Sequence, residues 1–207
     1  MSYKAIGFDY GGVIYGAPGS VMMQAAADLL AVPIDTLRTV FFANNHYLNV
    51  EKSMSWVELW QYIAGEVNRS EKQSDIARFI DEWDRNQVVD KDMIRLIDEL
   101  RANGYKIGML SNYSEGLRER LALQGIAQYF DAIGISSEMG AMKPQPEAFL
   151  QFCDMLEIRP QELVFIDDSE KSLVSAEAVG YVPILFRSLD ELRKELSALG
   201  VVCSGAS

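Results

Sequence analysis

Asp9, Ser111, Asn112, Lys143, Asp167 and Asp168 each stand at or beyond the end of a short apolar run. YKAIGF precedes Asp9, YKIGML leads into Ser111, AIGIS lies ahead of Lys143, and LVFI runs into the paired aspartates. Open parallel sheets bind ligands at the carboxyl ends of their strands, so these residues meet at one place when the runs are neighbouring strands. The chemistry such a set suits is phosphoryl transfer. A carboxylate can attack phosphorus and form an acyl phosphate, which splits one difficult displacement into two easier ones, and Asp9 is the candidate nucleophile. Three acids at one edge repel one another unless a cation sits among them. An all-oxygen site that keeps several waters describes Mg²⁺, with Asp9 and Asp168 as the residues to hold it. Ser111 offers a hydroxyl and a backbone N–H to phosphate oxygens, and Lys143 supplies compensating positive charge.

For these residues to converge, the apolar runs must be strands of one sheet. Residues 3–8, 105–110, 132–136, 163–166 and 181–186 read as buried strands. Helical spacing lies between them, as in Met93, Ile97 and Leu100, or Phe149, Phe152 and Leu156. Strands alternating with helices at this interval specify right-handed βαβ units and a parallel sheet covered on both faces. Gly104, Gly125 and Gly180 fall where helices must stop. About 90 residues separate the first strand from the second, far more than a crossover needs, so that interval holds an insertion. Its spacing is helical: Met22, Ala25 and Leu29, then Trp56, Trp60, Ile63 and Val67, then Ile76, Phe79, Ile80 and Trp83. Asp35, Ser55, Ser70 and Asp90 are placed as N-caps, and Gly16, Pro18 and Gly19 as the connection into the insertion. The expectation is an α/β protein whose Rossmann-like core, residues 1–15 and 91–207, carries a small α-helical cap over residues 16–90.

At the strand ends the sequence resembles the haloacid dehalogenase-like hydrolase superfamily, in its phosphatase branch with a helical cap inserted after the first motif. The segments that carry the resemblance are FDYGGVI at 8–14, MLSNYS at 109–114, MKPQPEAF at 142–149 and VFIDDSEKSLVSAEAVG at 164–180. They stand in family order and cover the sheet from end to end, while the cap matches only in position and helical character. The resemblance implies that Asp9 is the nucleophile, Ser111 the phosphate-binding hydroxyl, and Lys143 the lysine that steadies both. It implies Asp168 as a direct metal ligand, Asp167 supporting the ion through water, the Gly11 carbonyl as a further ligand, and Asn112 as an aid to substrate positioning. Two positions depart from the pattern. Most phosphatases of the superfamily carry a second Asp two residues after the nucleophile, as general acid and base, and here that position is Gly11. Relatives often have Asn where this chain has Ser172. The FDxGG opening also resembles a subgroup that includes sugar-phosphate phosphatases and the N-terminal domains of some epoxide hydrolases, so inactivity does not follow from Gly11 alone.

Composition narrows the alternatives. Lys and Arg number 19 against 30 Asp and Glu, a formal net charge of −11 with no basic run, which argues against nucleic acid as a partner. No apolar stretch approaches the ~20 residues that span a bilayer, and the opening MSYKAIGFDYGG lacks the charged and apolar regions of a secretory signal. Two cysteines, Cys153 and Cys203, without CxxC spacing fit a reducing cytoplasm. The lone histidine, His46, is read as a surface or structural residue, with Asn44, Asn45 and Tyr47 beside it as the polar cluster in which to seek substrate contacts. Trp56, Trp60 and Trp83 are read as bundle core, and Tyr10 and Tyr15 as lining the entrance. The leading reading is a Mg²⁺-dependent phosphatase acting on a small phosphorylated metabolite. A metal-free 2-haloacid dehalogenase using the same Asp, and a non-catalytic binding protein, are the alternatives. A receiver domain shares the Asp, Ser and Lys inventory but needs only ~120 residues and leaves the insertion unexplained. Oligomeric state is not encoded in these patterns.

Overall fold

The five apolar runs form five strands: β1 Ala5–Phe8, β2 Lys106–Ser111, β3 Ala132–Ile135, β4 Leu163–Asp167 and β5 Val182–Leu185. The computed structural model describes residues 3–16, 19–51, 53–86, 88–113 and 116–203. Pro18 of the expected connection, Ser114 of the second motif and the C-terminal residues 204–207 lie outside them. All described pairings are parallel, in the order β3-β2-β1-β4-β5. The strand bounds match the expected ones to within two residues, and Tyr3, Tyr105, Tyr181 and Phe186 pack in the cores just outside the ladder.

Eleven α-helices accompany the strands among the described residues: α1 Gly19–Leu30, α2 Ile34–Asn44, α3 His46–Asn49, α4 Trp56–Glu66, α5 Gln73–Asn86, α6 Lys91–Ala102, α7 Leu117–Leu123, α8 Ser136–Met139, α9 Pro146–Met155, α10 Ala176–Val179 and α11 Leu189–Ala198. One face of the sheet packs Ile6, Phe8, Met109, Val164 and Ile184 against α6, α7 and α11. The other face packs Leu110, Leu163 and Phe165 against Phe149 and Phe152 of α9. This second face is cut for an aromatic ring. AIGF, KIGM and AIGI each place glycine third, and Gly7 pairs with Gly108 in register. A Cβ at Gly7 would lie 2.9 Å from Phe152 Cε1, and one at Gly108 2.8 Å from Phe152 Cε2 and 3.0 Å from Leu156 Cδ1. Glycine at these positions lets the ring sit directly on the backbone.

The five helices α1–α5 between β1 and α6 bury a core of their own, with Leu30, Leu37, Leu59, Trp60, Ile63 and Ile76 shielded from solvent. Ser55 caps α4 in a reciprocal box, its hydroxyl accepting from Glu58 N–H and the Glu58 carboxylate accepting from Ser55 N–H (2.7 Å). Asp90 caps α6 through the N–H groups of Asp92 and Met93. The two other expected caps are corrected. Pro33 stands at the N-cap of α2 and its fixed φ starts the helix early, leaving Asp35 inside the first turn, where its charge favours the helix dipole. Ser70 begins a 3₁₀ turn behind Arg69. The buried face of α1 is also rotated from the expected one: Met23, Ala26, Ala27 and Leu30 join Met22 inside, while Ala25 and Leu29 are only half-buried. The chain enters and leaves these helices on two paired segments, with Gly16 N–H donating to Val88 O, Asp90 N–H donating to Ile14 O (each 2.9 Å), and an antiparallel bridge between Tyr15 and Val89.

Replacing Gly108 by Ala is expected to cost about 1–3 kcal/mol, because the new methyl overlaps Phe152 in a packed core. Urea unfolding measures the loss. Gly108→Ala combined with Phe152→Leu should recover part of it, whereas equal destabilisation in the double variant would show that the ring is not what the glycine accommodates.

Candidate active site

Asp9 leaves β1 at the centre of the sheet, where the chain order reverses between β1 and β4, and its N–H donates to Ile166 O of β4 (2.8 Å). Asp167 ends β4, and Asp168 follows it. Carboxylate oxygens of Asp9, Asp167 and Asp168 lie within 4.8 Å of one another. Between them sits one ammonium. Lys143 Nζ is 2.9 Å from Asp9 Oδ1 and 2.5 Å from Asp167 Oδ2, with the lysine side chain 1% exposed and that of Asp167 fully buried. Asp9 Oδ1 also accepts from Tyr10 N–H (2.7 Å). The second Asp167 oxygen, Oδ1, accepts from Ser169 N–H (2.8 Å), so both of its oxygens are engaged. Asp168 Oδ2 accepts from Gly19 N–H at the start of α1 (2.5 Å).

A loop residue such as Lys143 reaches this depth because Asn112 brackets its main chain. Asn112 Nδ2 donates to Lys143 O and Asn112 Oδ1 accepts from Lys143 N–H, each at 2.8 Å. Asn112, expected to position substrate, therefore spends both polar ends of its amide on the lysine loop in this structure.

Electrostatics follow from one lysine facing three carboxylates in a poorly solvated crevice. Burial pushes the Asp167 carboxyl up to about 7, with Lys143 opposing the shift and Asp9 adding to it. Burial and then Asp9 raise Asp168 to about 6, against the Gly19 N–H. Burial alone would lower Lys143, but the Asp167 and Asp9 carboxylates outweigh it and hold the ammonium charged above the usual lysine range. Oxygen-only donors this close, with excess negative charge, fit a hard divalent cation such as Mg²⁺. Asp9 and Asp168 are the pair best able to hold it, since Asp167 is committed to Lys143 and Ser169.

Asp9, Gly11, Tyr15, Ser111, Asn112, Lys143, Asp167 and Asp168 all line one cavity of about 820 Å³. Ser111 is buried at the end of β2, and Ser172 also reaches the cavity. Tyr10 stacks on Tyr15 (centroids 5.0 Å apart), and its hydroxyl donates to Gln124 Oε1 (2.9 Å). Arg120 Nη1 donates to the Tyr15 hydroxyl (3.2 Å). Of the polar cluster around His46 only Asn45 lines the cavity; His46 itself pairs with Glu51 at 3.5 Å. Trp60 is core, and Trp56 and Trp83 pack against the bundle core as expected while also lining the cavity. Arg38, Phe41 and Phe42 line it as well and were not anticipated. The signal was present: Arg38, Phe41, Phe42 and Asn45 recur at i, i+3, i+4 and i+7, a single helical stripe.

Residues 3–180 match the family described as haloacid dehalogenase-like hydrolase, and the chain belongs to that family of hydrolases. A glyceraldehyde 3-phosphate phosphatase from Methanopyrus kandleri is 32% identical over 98 residues, which are 46% of this chain and 42% of that protein. The chain spans less than half the length of the curated relatives first matched. Among solved structures, a HAD phosphatase from Thermococcus onnurineus superposes with a TM-score of 0.58 at 22% identity, covering 97% of this chain and 99% of that one. An L-2-haloacid dehalogenase from Xanthobacter autotrophicus with chloropropionic acid covalently bound gives 0.59 at 19%, covering 97% and 84%. Both share the fold, a likeness common to a phosphatase and a dehalogenase.

Asp168→Asn should stabilise the metal-free protein near neutral pH while removing its response to Mg²⁺. A carboxyl raised from 3.8 to about 6 costs the native state nothing below the lower value and its full penalty above the upper one, so at pH 7.5 the amide relieves about 1–3 kcal/mol. Thermal melts in chelator should show a Tm several degrees higher in the variant, and melts with added Mg²⁺ a rise in the wild type only. An unchanged Mg²⁺-induced rise in the variant would dismiss Asp168 as a ligand.

Proposed function

We propose that this chain is a Mg²⁺-dependent phosphatase that hydrolyses a small phosphorylated metabolite through an aspartyl-phosphate at Asp9. The observation that carries the reading is the meeting of Asp9, Asp168 and the buried Lys143–Asp167 pair at the switch point of the sheet, in a chain of this hydrolase family. Tyr10 N–H and Lys143 Nζ both hold Asp9 Oδ1, which orients the carboxylate and leaves Oδ2 as the attacking oxygen. Ser111 donates to a phosphoryl oxygen, and Lys143 steadies nucleophile and phosphate together. Asn112 acts as a positioning residue through the lysine loop. Asp9, Asp168 and the Gly11 carbonyl would hold a Mg²⁺ ion, with Asp167 supporting through water, and the ion would supply positive charge that lets a phosphate dianion approach a carboxylate. Attack by Asp9 on phosphorus breaks the ester P–O bond, whose electron pair leaves on the departing oxygen, and water then cleaves the acyl phosphate, returning the carboxylate and releasing phosphate.

In this reading residues 16–90 are a cap over the core formed by 1–15 and 91–207, closing the crevice against solvent and selecting the substrate. Free thiols at Cys153 and Cys203 are in keeping with a reducing cytoplasm, and no helix among the described residues is long and apolar enough to cross a membrane. The dehalogenase alternative fares worse at this site. The cluster of Asp9, Asp167 and Asp168 suits a cation, which the metal-free dehalogenase reaction does not need.

Asp9→Asn is expected to leave a folded protein with turnover reduced more than about a thousandfold. A panel of phosphorylated metabolites assayed with and without Mg²⁺ reads activity and metal use together, and beryllofluoride trapping with peptide mapping should place the adduct at Asp9. Substantial turnover in an Asp9→Asn sample verified free of deamidation would assign the attack to water. Halide release from 2-haloacids in chelator would favour the dehalogenase.

A further inference from the structure

The cavity over Asp9 has two linings of opposite character. One is the charged sheet edge and the other is aromatic: Phe41 and Phe42 from α2, Trp56 from α4 and Trp83 from α5, each half-buried. Phe41 and Trp56 meet edge to face with centroids 6.0 Å apart, and both rest on the buried Trp60, at 5.4 and 5.8 Å. The wall is thus braced from behind by the core of the helical bundle. Phe42 takes no part in that core, and its ring lies 4.4 Å beneath the Lys171 ammonium. A volume of about 820 Å³ suits a drug-sized ligand with aromatic or apolar bulk. A three-carbon ester would leave the aromatic faces in water.

Gly11 supplies an independent constraint at the charged lining. It is exposed two residues past the nucleophile, and a Cβ built there meets nothing within 4 Å. Space for a carboxyl exists and no carboxyl fills it. Among the described lining residues there is no histidine, the carboxylate beyond the three aspartates is Glu170, on the exposed turn after Asp168, and the hydroxyls of Tyr10 and Tyr15 are engaged with Gln124 and Arg120. A site without a dedicated proton donor turns over esters whose leaving oxygen departs as an anion. A phenol, with a pKa near 10 as in tyrosine, does so far more readily than an alkyl alcohol, whose basicity is near that of water at about 15.7.

We infer that the substrate is an aryl phosphate, a phosphomonoester of a planar aromatic alcohol, with its ring system against Phe41, Phe42, Trp56 and Trp83 and its phosphoryl group at Asp9. The inference rests on the phosphatase reading for its chemistry and on the cavity wall for its binding. A bond forms from Asp9 Oδ2 to phosphorus as the bond from phosphorus to the aryl oxygen breaks, and the electron pair leaves on that oxygen as a phenolate. Water then adds at phosphorus, restoring the Asp9 carboxylate and releasing dihydrogen phosphate. The two charges of the ester dianion are carried off by phenolate and phosphate, and no proton is required from the protein for the first step.

The test uses the full chain with Mg²⁺ and compares kcat/KM for 2-naphthyl phosphate, phenyl phosphate, acetyl phosphate and glycerol 3-phosphate. In parallel, calorimetry compares two non-hydrolysable probes, 2-naphthylmethylphosphonate and propylphosphonate. The naphthyl ester should be the best substrate and the phenyl ester at least a hundredfold better than glycerol phosphate. Phe42→Ala should shrink the naphthyl-to-acetyl ratio fivefold or more, and Gly11→Asp should shrink the phenyl-to-glycerol ratio tenfold or more. Glycerol phosphate turned over within tenfold of phenyl phosphate would reveal a working proton donor, with Glu170 the candidate, and overturn the inference. Absence of turnover with every ester would instead defeat the phosphatase reading, and the phosphonates still decide the cavity. Binding of the naphthyl probe at least tenfold tighter than the propyl probe supports an aromatic occupant; equal affinity, or binding of neither, overturns it.

Discussion

One buried ammonium holds the sheet edge together. Lys143 lies between Asp9 and Asp167, nearly without solvent, and its charge is the local compensation for three aspartates that would otherwise repel. An ion pair at this depth is a costly way to stabilise a protein, because desolvation offsets most of the Coulombic gain. Its presence in an otherwise apolar core therefore points to work done at the site. The pair also sets the division of labour among the carboxylates. Asp167 is tied to the lysine and to Ser169 N–H, which under the proposed reading leaves Asp9 and Asp168 to face an incoming cation and phosphate.

Everything else in the sheet serves to hold those groups in place. β1 is central, so Asp9 is fixed by neighbours on both sides. β4 beside it fixes Asp167, and β2 fixes Ser111 and the Asn112 bracket around Lys143. The glycines of β1 and β2 let Phe152 sit directly on the backbone, which pins α9 and the loop that leads into it from Lys143. A tight aromatic seat beneath the sheet and an exact lysine position above it are parts of one arrangement, since slack in either would move the ammonium away from its two partners.

Much of this was legible in the sequence. The polar residue after each apolar run marks the strand ends, and their order along the chain places them at one edge whatever the details of the helices between. Less legible were features that depend on which side of a helix meets what. On α1 the apolar spacing allowed two adjacent faces, and only packing against the neighbouring helices selects the one with Met23 and Ala26 inside. On α2 the residues Arg38, Phe41, Phe42 and Asn45 look like any amphipathic stripe until the sheet edge is seen beneath them. Lys171 and the Asn112 bracket could not be found from spacing, because both act across gaps that local pattern does not span. Caps failed where proline intervened: Pro33 moved the start of α2 past the reach of Asp35.

The division between legible chemistry and illegible selection has a structural cause. α2 sends only Leu37 fully into the bundle core, so its opposite stripe carries little of the folding free energy and is free to differ while the helix persists. Strand-end residues have no such freedom, since each is fixed by ladder bonds on the strand it follows and by charge balance with the others. Under the proposed reading the motifs report the reaction, and the identity of the substrate is set by the stripe they do not cover. In this chain that stripe carries Phe41 and Phe42, and the position two residues past the nucleophile is glycine. Both features line one cavity, and under the proposed reading they converge on the same property of the ligand, a leaving group that is both planar and weakly basic.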